Sequence, residues 1–481
     1  MASQTKKITL DTAALMFGRG VGFVLGLIRL NYLARLLGVS SFGLLNFATY
    51  FTSLFGSLFD LGLAQLLTRE IARDVSRSRE LLGRVLLLKF GITVLATLLV
   101  VAVALLSGFT GETLTAVLLT TFALAVNQLA ATFLSALQAH RRMALVSAAN
   151  IINDAVLSAA IILVLPAHPQ VTAAISITAA ISVLNLTLLF VVYRRLVGAP
   201  VIRADLEAAK AFLREGAPIA LASLGISVYT FVGPTILKFT RGESEVGLFS
   251  AGYKLITILG IIPTTFNQVL FPIFSEFFAH AREKLEKALA DSLRVITLLS
   301  MPLAAGALVV GEDLFRLLYT ADYLPGVIVM QVILLGNILG FMDWILYSFL
   351  LANNRQAFLM WLSLGAGAGA GLLSLLLVPQ YGYMALPFLT AGIEALLFVI
   401  QILYVRHTGY RQLRLSSLWR PAAAALVMAA ALLPLGFVPL LARIPLGAAI
   451  YAAALYSFRG LGEQERAILK GLIVRVSPGK S

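Results

Sequence analysis

The chain has 481 residues, 59% hydrophobic and only 12% charged, with no cysteine and a formal net charge of +14. Apolar runs of about 18 or more residues recur from end to end, which excludes a soluble globular protein. The missing cysteines exclude a disulfide framework, thiolate metal sites and a cysteine nucleophile, and the positive charge is what basic membrane-flanking loops produce, so nucleic acid is not an expected partner.

The N-terminus, MASQTKKITLD, places two lysines before an apolar run. That run outlasts a secretory h-region and lacks a small-residue cleavage site, so it reads as a retained first span. Fourteen candidate spans follow from the hydropathy: 11–36, 43–66, 85–107, 113–138, 145–165, 171–193, 213–237, 246–277, 289–310, 325–351, 357–379, 383–405, 420–440 and 443–458. Backbone groups in lipid must be satisfied within each segment, so the spans are expected to be helical. Lys and Arg crowd the connections on the side of the N-terminus. The opposite connections hold only Arg35, Lys238, Arg241, Arg316 and Arg443. By the charge bias of membrane loops, both termini are expected to be cytoplasmic.

Span 1 carries Arg19 and Arg29. They lie about 15 Å apart along a helix axis and within about 80° of each other around it. Two readings stay open: the pair lines an internal cavity, or both side chains snorkel to the interfaces. After span 1 comes Gly38–Leu45, GVSSFGLL, which returns after span 7 as Gly242–Phe249, GESEVGLF. A second echo, A-x-x-R-x-A, joins Ala139–Ala144 after span 4 to Ala352–Ala357 after span 10. Two matches in the same order at nearly the same spacing indicate an internal duplication. An even number of spans separates the copies, so the repeats run the same way through the membrane. The expected architecture is an all-α polytopic membrane protein of about fourteen helices. An N-lobe at 1–200 and a C-lobe at 201–410 hold six helices each, and a helix pair with a cytoplasmic tail occupies 411–481.

Acidic residues inside spans mark function or helix-to-helix pairing. Asp60 in span 2 is a candidate ion-pair partner of Arg19 or a proton-coupling group. Asp154 sits in a polar turn of span 5 with Asn150 and Asn153, and Asp343 in span 10 and Glu394 in span 12 are further buried candidates. Lys254 lies just inside span 8, after the second repeat motif, where snorkelling is again the bland alternative. Glycines 365, 367, 369 and 371 offer a small-residue face in span 11. Prolines 218, 234, 263, 272 and 302 are expected to kink spans 7–9. The stretches 70–84 and 463–476 read as surface-lying amphipathic segments. The four histidines form no ligand cluster, and no nucleotide-binding, metalloprotease or nucleophile-elbow motif is present. No metal, cofactor or enzymatic activity is expected.

The run Tyr32-Leu-Ala-Arg-Leu-Leu-Gly38-Val-Ser-Ser-Phe-Gly43 resembles the first outer loop of Wzx-type polysaccharide-unit flippases, of the multidrug/oligosaccharidyl-lipid/polysaccharide exporter superfamily. Val246-Gly-Leu-Phe-Ser-Ala-Gly-Tyr-Lys254-Leu, followed by Pro263 and Leu270-Phe-Pro272, is similar to the matching eighth span. The resemblance implies a flippase in the cell (inner) membrane that turns polyprenyl-diphosphate-linked oligosaccharides outward by alternating access, for surface polysaccharide such as O-antigen. It implies a cation-lined cavity between lobes, for which Arg19, Arg29 and Lys254 are the candidate diphosphate ligands. H+ or Na+ is the expected coupling ion. Membrane lipids, a polymerase and glycosyltransferases are the expected neighbours. A multidrug exporter of the same superfamily and a lipid II flippase are the alternatives.

Overall fold

A computed structural model describes residues 2–410 and 419–458, and every regular element among them is helical. In chain order the α-helices are α1 (Ala2–Leu54), α2 (Leu63–Arg73), α3 (Ser78–Leu106), α4 (Gly111–Ala139), α5 (Met143–Val164), α6 (Val171–Leu196), α7 (Leu206–Arg241), α8 (Glu243–Leu259), α9 (Ile261–His280), α10 (Arg282–Leu318), α11 (Val327–Ala352), α12 (Gln356–Tyr381), α13 (Ala385–His407), α14 (Trp419–Leu432) and α15 (Leu440–Ser457). Eleven helical stretches among the described residues are long and apolar enough to cross a membrane. Three of these join consecutive α-helical segments, Gly20–Leu54 across Gly38, Glu243–Phe278 across Gly260 and Gln356–His407 across a short turn at Gly382, and Trp419–Leu435 adds a shorter apolar helix. The chain is therefore an all-α, multi-pass membrane protein. Of the two expected amphipathic segments, 463–476 lies outside the described residues. The other, 70–84, divides among the end of α2, a single turn at Val75–Arg77 and the start of α3.

The repeated motifs fold alike. Gly38 (φ 72°, ψ 173°) and Gly242 (φ 91°, ψ −175°) share one backbone conformation, which L-residues avoid, and each ends one helix and starts the next. The next glycine of each motif makes the reciprocal contact: a Cβ on Gly43 would collide with the Glu243 carbonyl, and a Cβ on Gly247 with the Val39 carbonyl. Each copy thus packs its glycine on the start of the other copy, the signature of a local two-fold axis. The second echo agrees. Arg141 and Asn354 both adopt positive φ (57° and 58°), and the arginines that follow start helices with φ near −91°.

The first-half counterpart of the proline-rich spans is broken as well, which the prolines did not foretell. After Leu54 the chain passes through a 3-10 turn, Gly56–Phe59, and Leu61 (φ 47°) and Gly62 (φ 76°) interrupt the helix before α2. Gly260 makes the matching break between α8 and α9. Pro218, Pro234, Pro272 and Pro302 instead sit within continuous helices.

The helices form two compact units, one of residues 1–261, 318–329 and 355–389, the other of 262–317, 330–354 and the described residues from 390 on. In the first, Phe42 is buried edge-on against Tyr323, whose hydroxyl donates to the Ala34 carbonyl at 3.0 Å, and Phe47 meets Phe51, Phe109 and Phe239. These contacts fix α1 on both sides of its turn at Gly38. Near the basic helix ends, Leu63, Leu67, Ile71, Leu82, Phe133 and Tyr193 form a second buried cluster. Of the four glycines expected to pack span 11, Gly367 does so, its absent side chain admitting the Gly225 backbone of α7; Gly365, Gly369 and Gly371 meet nothing within 4 Å. In the second unit, Leu298 and Ala305 of α10 pack with Ala424, Met428 and Leu432 of α14 and Tyr451 and Leu455 of α15. Tyr451 seals that contact by donating to the Leu298 carbonyl at 3.0 Å.

Candidate functional site

Three helices of the first unit bring charges together inside the membrane span. Arg29 projects from α1, Asp154 from α5 and Lys254 from α8. The nearest atoms of Arg29 and Asp154, Nη1 and Oδ1, stand 3.7 Å apart, and the two side chains are 26% and 36% exposed. That spacing permits attraction but is too long for a hydrogen bond. Nη1 of Arg29 is itself buried and without a hydrogen-bond partner. The half-buried Lys254 lies on α8, which packs against α1, and forms no ion pair among the described residues. The approach of α5 to α1 depends on small residues. A Cβ at Gly22 would lie 3.1 Å from Asp154 Oδ2, and one at Gly18 would strike Ser147 Oγ. Ser158 adds a hydrogen bond to the Leu25 carbonyl at 3.4 Å, and Asn31 of α1 donates to the Leu318 carbonyl at 2.7 Å. Two cations and one carboxylate on these supports leave an excess of positive charge and an unused donor, the arrangement that attracts an anion with several oxygen acceptors. Arg19, the third expected cation, has its side chain outside the described residues.

Asp60 has a partner that the sequence reading did not weigh. Its Oδ1 accepts from Lys89 Nζ of α3 at 2.5 Å, and the Lys89 side chain is fully buried. The broken helix at Leu61–Gly62 turns Asp60 toward α3, while Gly62 packs on Ile219 and Gly216 on the Leu61 carbonyl. Sequence reading overlooked Lys89. The signal was there: a lone lysine within an otherwise apolar run, Val85 to Val103, that needs an acid nearby.

The remaining two acids meet in the second unit. Asp343 of α11 is 6% exposed, Glu394 of α13 9%, and Gln401 of α13 1%. Gln401 Nε2 donates to Asp343 Oδ1 at 2.5 Å, and the charges of Asp343 and Glu394 repel. Gly340 permits the pairing, since a Cβ there would lie 2.9 Å from Glu394 Oε2, and Gly336 accommodates Ala391 one turn away. Arg443, counted as a loop cation in the sequence, is instead buried within α15. It bonds Asp313 of α10 at 2.8 Å and the Val438 carbonyl at 3.2 Å.

At the basic helix ends of the first unit, Ser78 Oγ bonds both His140 Nε2 (2.8 Å) and Tyr193 Oη (2.9 Å), tying α3, α4 and α6. Burial, and then the Arg142 charge, lower the His140 pKa from its ordinary value. No group of three or more His, Cys, Asp or Glu among the described residues is placed to hold a metal ion.

Comparison with known proteins shows the family and the fold. The family of polysaccharide biosynthesis proteins matches residues 8–278. Among curated proteins none matches the chain by sequence. Solved structures match over most of the fold. The lipid II flippase MurJ in an inward closed conformation is 14% identical with a TM-score of 0.76, covering 94% of this chain and 99% of its own. An inward-facing multidrug resistance MATE family transporter of the MOP superfamily is 14% identical with a TM-score of 0.66, covering 82% and 98%. A MOP superfamily transporter from Pyrococcus furiosus, whose binding pocket is described as reversed in polarity, is 14% identical with a TM-score of 0.60, covering 84% and 95%.

Proposed function

The chain belongs to the polysaccharide biosynthesis protein family, and from that premise we propose that it is a flippase for polyprenyl-diphosphate-linked oligosaccharides. It would move them from the cytoplasmic to the outer leaflet for surface polysaccharide or glycan assembly. The observation that carries this reading is the buried Nη1 of Arg29, which has no hydrogen-bond partner, on a helix packed against the one that carries Lys254. A diphosphate brings the oxygen acceptors this donor lacks. The guanidinium takes them as directed hydrogen bonds and the ammonium as a point charge. Asp154 holds Arg29 at 3.7 Å in the meantime, an attraction a phosphate oxygen at bonding distance outcompetes. The polyprenyl tail stays in lipid, so only the polar head needs shelter. Alternating access between two six-helix lobes would carry the head group across, and Asp343 with Glu394 would supply the site for H+ or Na+ coupling.

The test is complementation of a flippase-deficient strain. Arg29→Ala with Lys254→Ala abolishes polymer export at unchanged protein level, while Arg29→Lys retains part of it. Full export by the double variant overturns the reading. A second reading, a lipid II flippase, is favoured by the fold match to MurJ over 94% of this chain. Purified protein in liposomes separates the two: the first reading expects transfer of diphosphate-linked oligosaccharide without transfer of lipid II.

A further inference from the structure

A separate pocket lies in the first unit, at the basic ends of its helices. The connection between α6 and α7 is strapped along the start of α3. Val201 N donates to the Arg79 carbonyl at 2.9 Å, Arg79 Nε donates to the Ala199 carbonyl at 2.9 Å, and Gly83 leaves room for the Val201 carbonyl. Below this strap is a cavity of about 220 Å³ between α3 and α7, walled by Leu87, Leu88 and Phe212 and edged by Arg84 and Arg203. Arg84 is held by Glu80 and by Asp205, which also caps α7. These bonds leave Arg84 Nε buried and without a hydrogen-bond partner. Arg203 is exposed and has no ion pair among the described residues.

The surroundings identify the medium. Ile202 is 68% exposed and Leu206 70%, at a helix end otherwise crowded with charge. Leu87 begins an exposed apolar stripe on α3 that continues through Phe90, Val94 and Leu98 at helical spacing. Such a stripe faces acyl chains, and the cavity opens at its charged end. We propose that this cavity binds an acidic phospholipid of the adjacent leaflet. The phosphate sits between Arg203 and Arg84 Nε, and one acyl chain enters against Leu87, Leu88 and Phe212. A free phosphate would satisfy the arginines but leave the apolar walls unfilled. A zwitterionic lipid would fill the walls but carry a compensating cation toward Arg203. Bound lipid would fasten the interhelical strap to α3. The proposal is independent of what the protein transports.

Native mass spectrometry of the full chain in detergent tests it, with phosphatidylglycerol, phosphatidylcholine and a polyprenyl phosphate titrated separately and in competition. The first phosphatidylglycerol adduct is expected to form at least about fivefold more readily than the phosphatidylcholine adduct, and Arg203→Ala to erase about that factor, the contribution of one basic residue near a charged leaflet. Ala208→Trp, which fills the cavity, is expected to remove the first adduct; if that variant does not fold, Arg203→Ala decides alone. Equal binding of the two phospholipids, equal binding by wild type and Arg203→Ala, or displacement of phosphatidylglycerol by the polyprenyl phosphate each overturn the proposal.

Discussion

The two units set different neighbours beside the acids within their spans. In the first, each intramembrane carboxylate has a cation: Asp60 has Lys89 at 2.5 Å, and Asp154 has Arg29 at 3.7 Å. In the second, Asp343 and Glu394 are set beside each other and Gln401 donates to Asp343. Opposite charges in low dielectric hold each other ionised, and the looser pair leaves a cation ready for an incoming anion. Two carboxylates at close range repel when both are charged, and under the proposed function this is the pair that would take up a proton or cation. The lesson is confined to these acids: the first unit sets a cation against each, whereas the second sets two acids side by side and keeps its buried cation, Arg443, on Asp313 nearer a helix end.

That contrast can be broken at several points. The largest effect is expected at the frame that carries Arg29 and Lys254. Gly43→Val forces a side chain into the Glu243 carbonyl and should cost about 3 kcal/mol or more, read as loss of folded protein in thermal melts; Gly247→Val should match it. Next comes the tight pair. Lys89→Met strands the partly exposed Asp60 carboxylate and should cost about 2–3 kcal/mol, whereas adding Asp60→Leu should restore most of it. A double variant as unstable as the single one would mean the pair is not the reason for the loss. In the second unit the same logic predicts the reverse sign. Asp343→Asn removes a repulsion and should leave the melting temperature unchanged or higher, while flattening the pH dependence of transport. A fall in stability equal to that of Lys89→Met would erase the distinction between the units.

The smallest effect is at His140. Its folded pKa is lowered by burial, so the unfolded chain binds the proton more tightly. Stability is fully present above the ordinary histidine value, about 6.5, and declines as pH falls toward the lowered value. Melts from neutral to mildly acidic pH should show this slope, and His140→Gln should lose it.

Much of this was legible in the sequence because lipid leaves few options. Apolar run length gives helices, and a charge inside a run must find a partner. The duplication was legible because Gly38 and Gly242 need a backbone conformation that other residues avoid, so the letter itself records the geometry. Partner choice was not legible. Whether Asp60 meets Arg19 or Lys89 depends on the broken turn at Leu61–Gly62, and no proline marks it. Nor could the sequence tell Arg443, held on Asp313, from a loop cation, because both stand near a span end. Of four evenly spaced glycines in α12, the one that matters is set by where α7 crosses, a tertiary fact.

The left-handed turn shared by Arg141 and Asn354 has a consequence for how the duplicate halves have diverged. Asparagine tolerates that conformation well; arginine does so less readily, and glycine would relax it. An arginine kept at the tip of the first turn therefore trades some backbone comfort for a second guanidinium beside Arg142, at the membrane face where basic residues gather. In the later half the tip is the more accommodating amide of Asn354, followed by a single cation, Arg355. The first turn is thereby the stickier of the two toward acidic surfaces, and Arg141→Gly should firm the fold while loosening that grip.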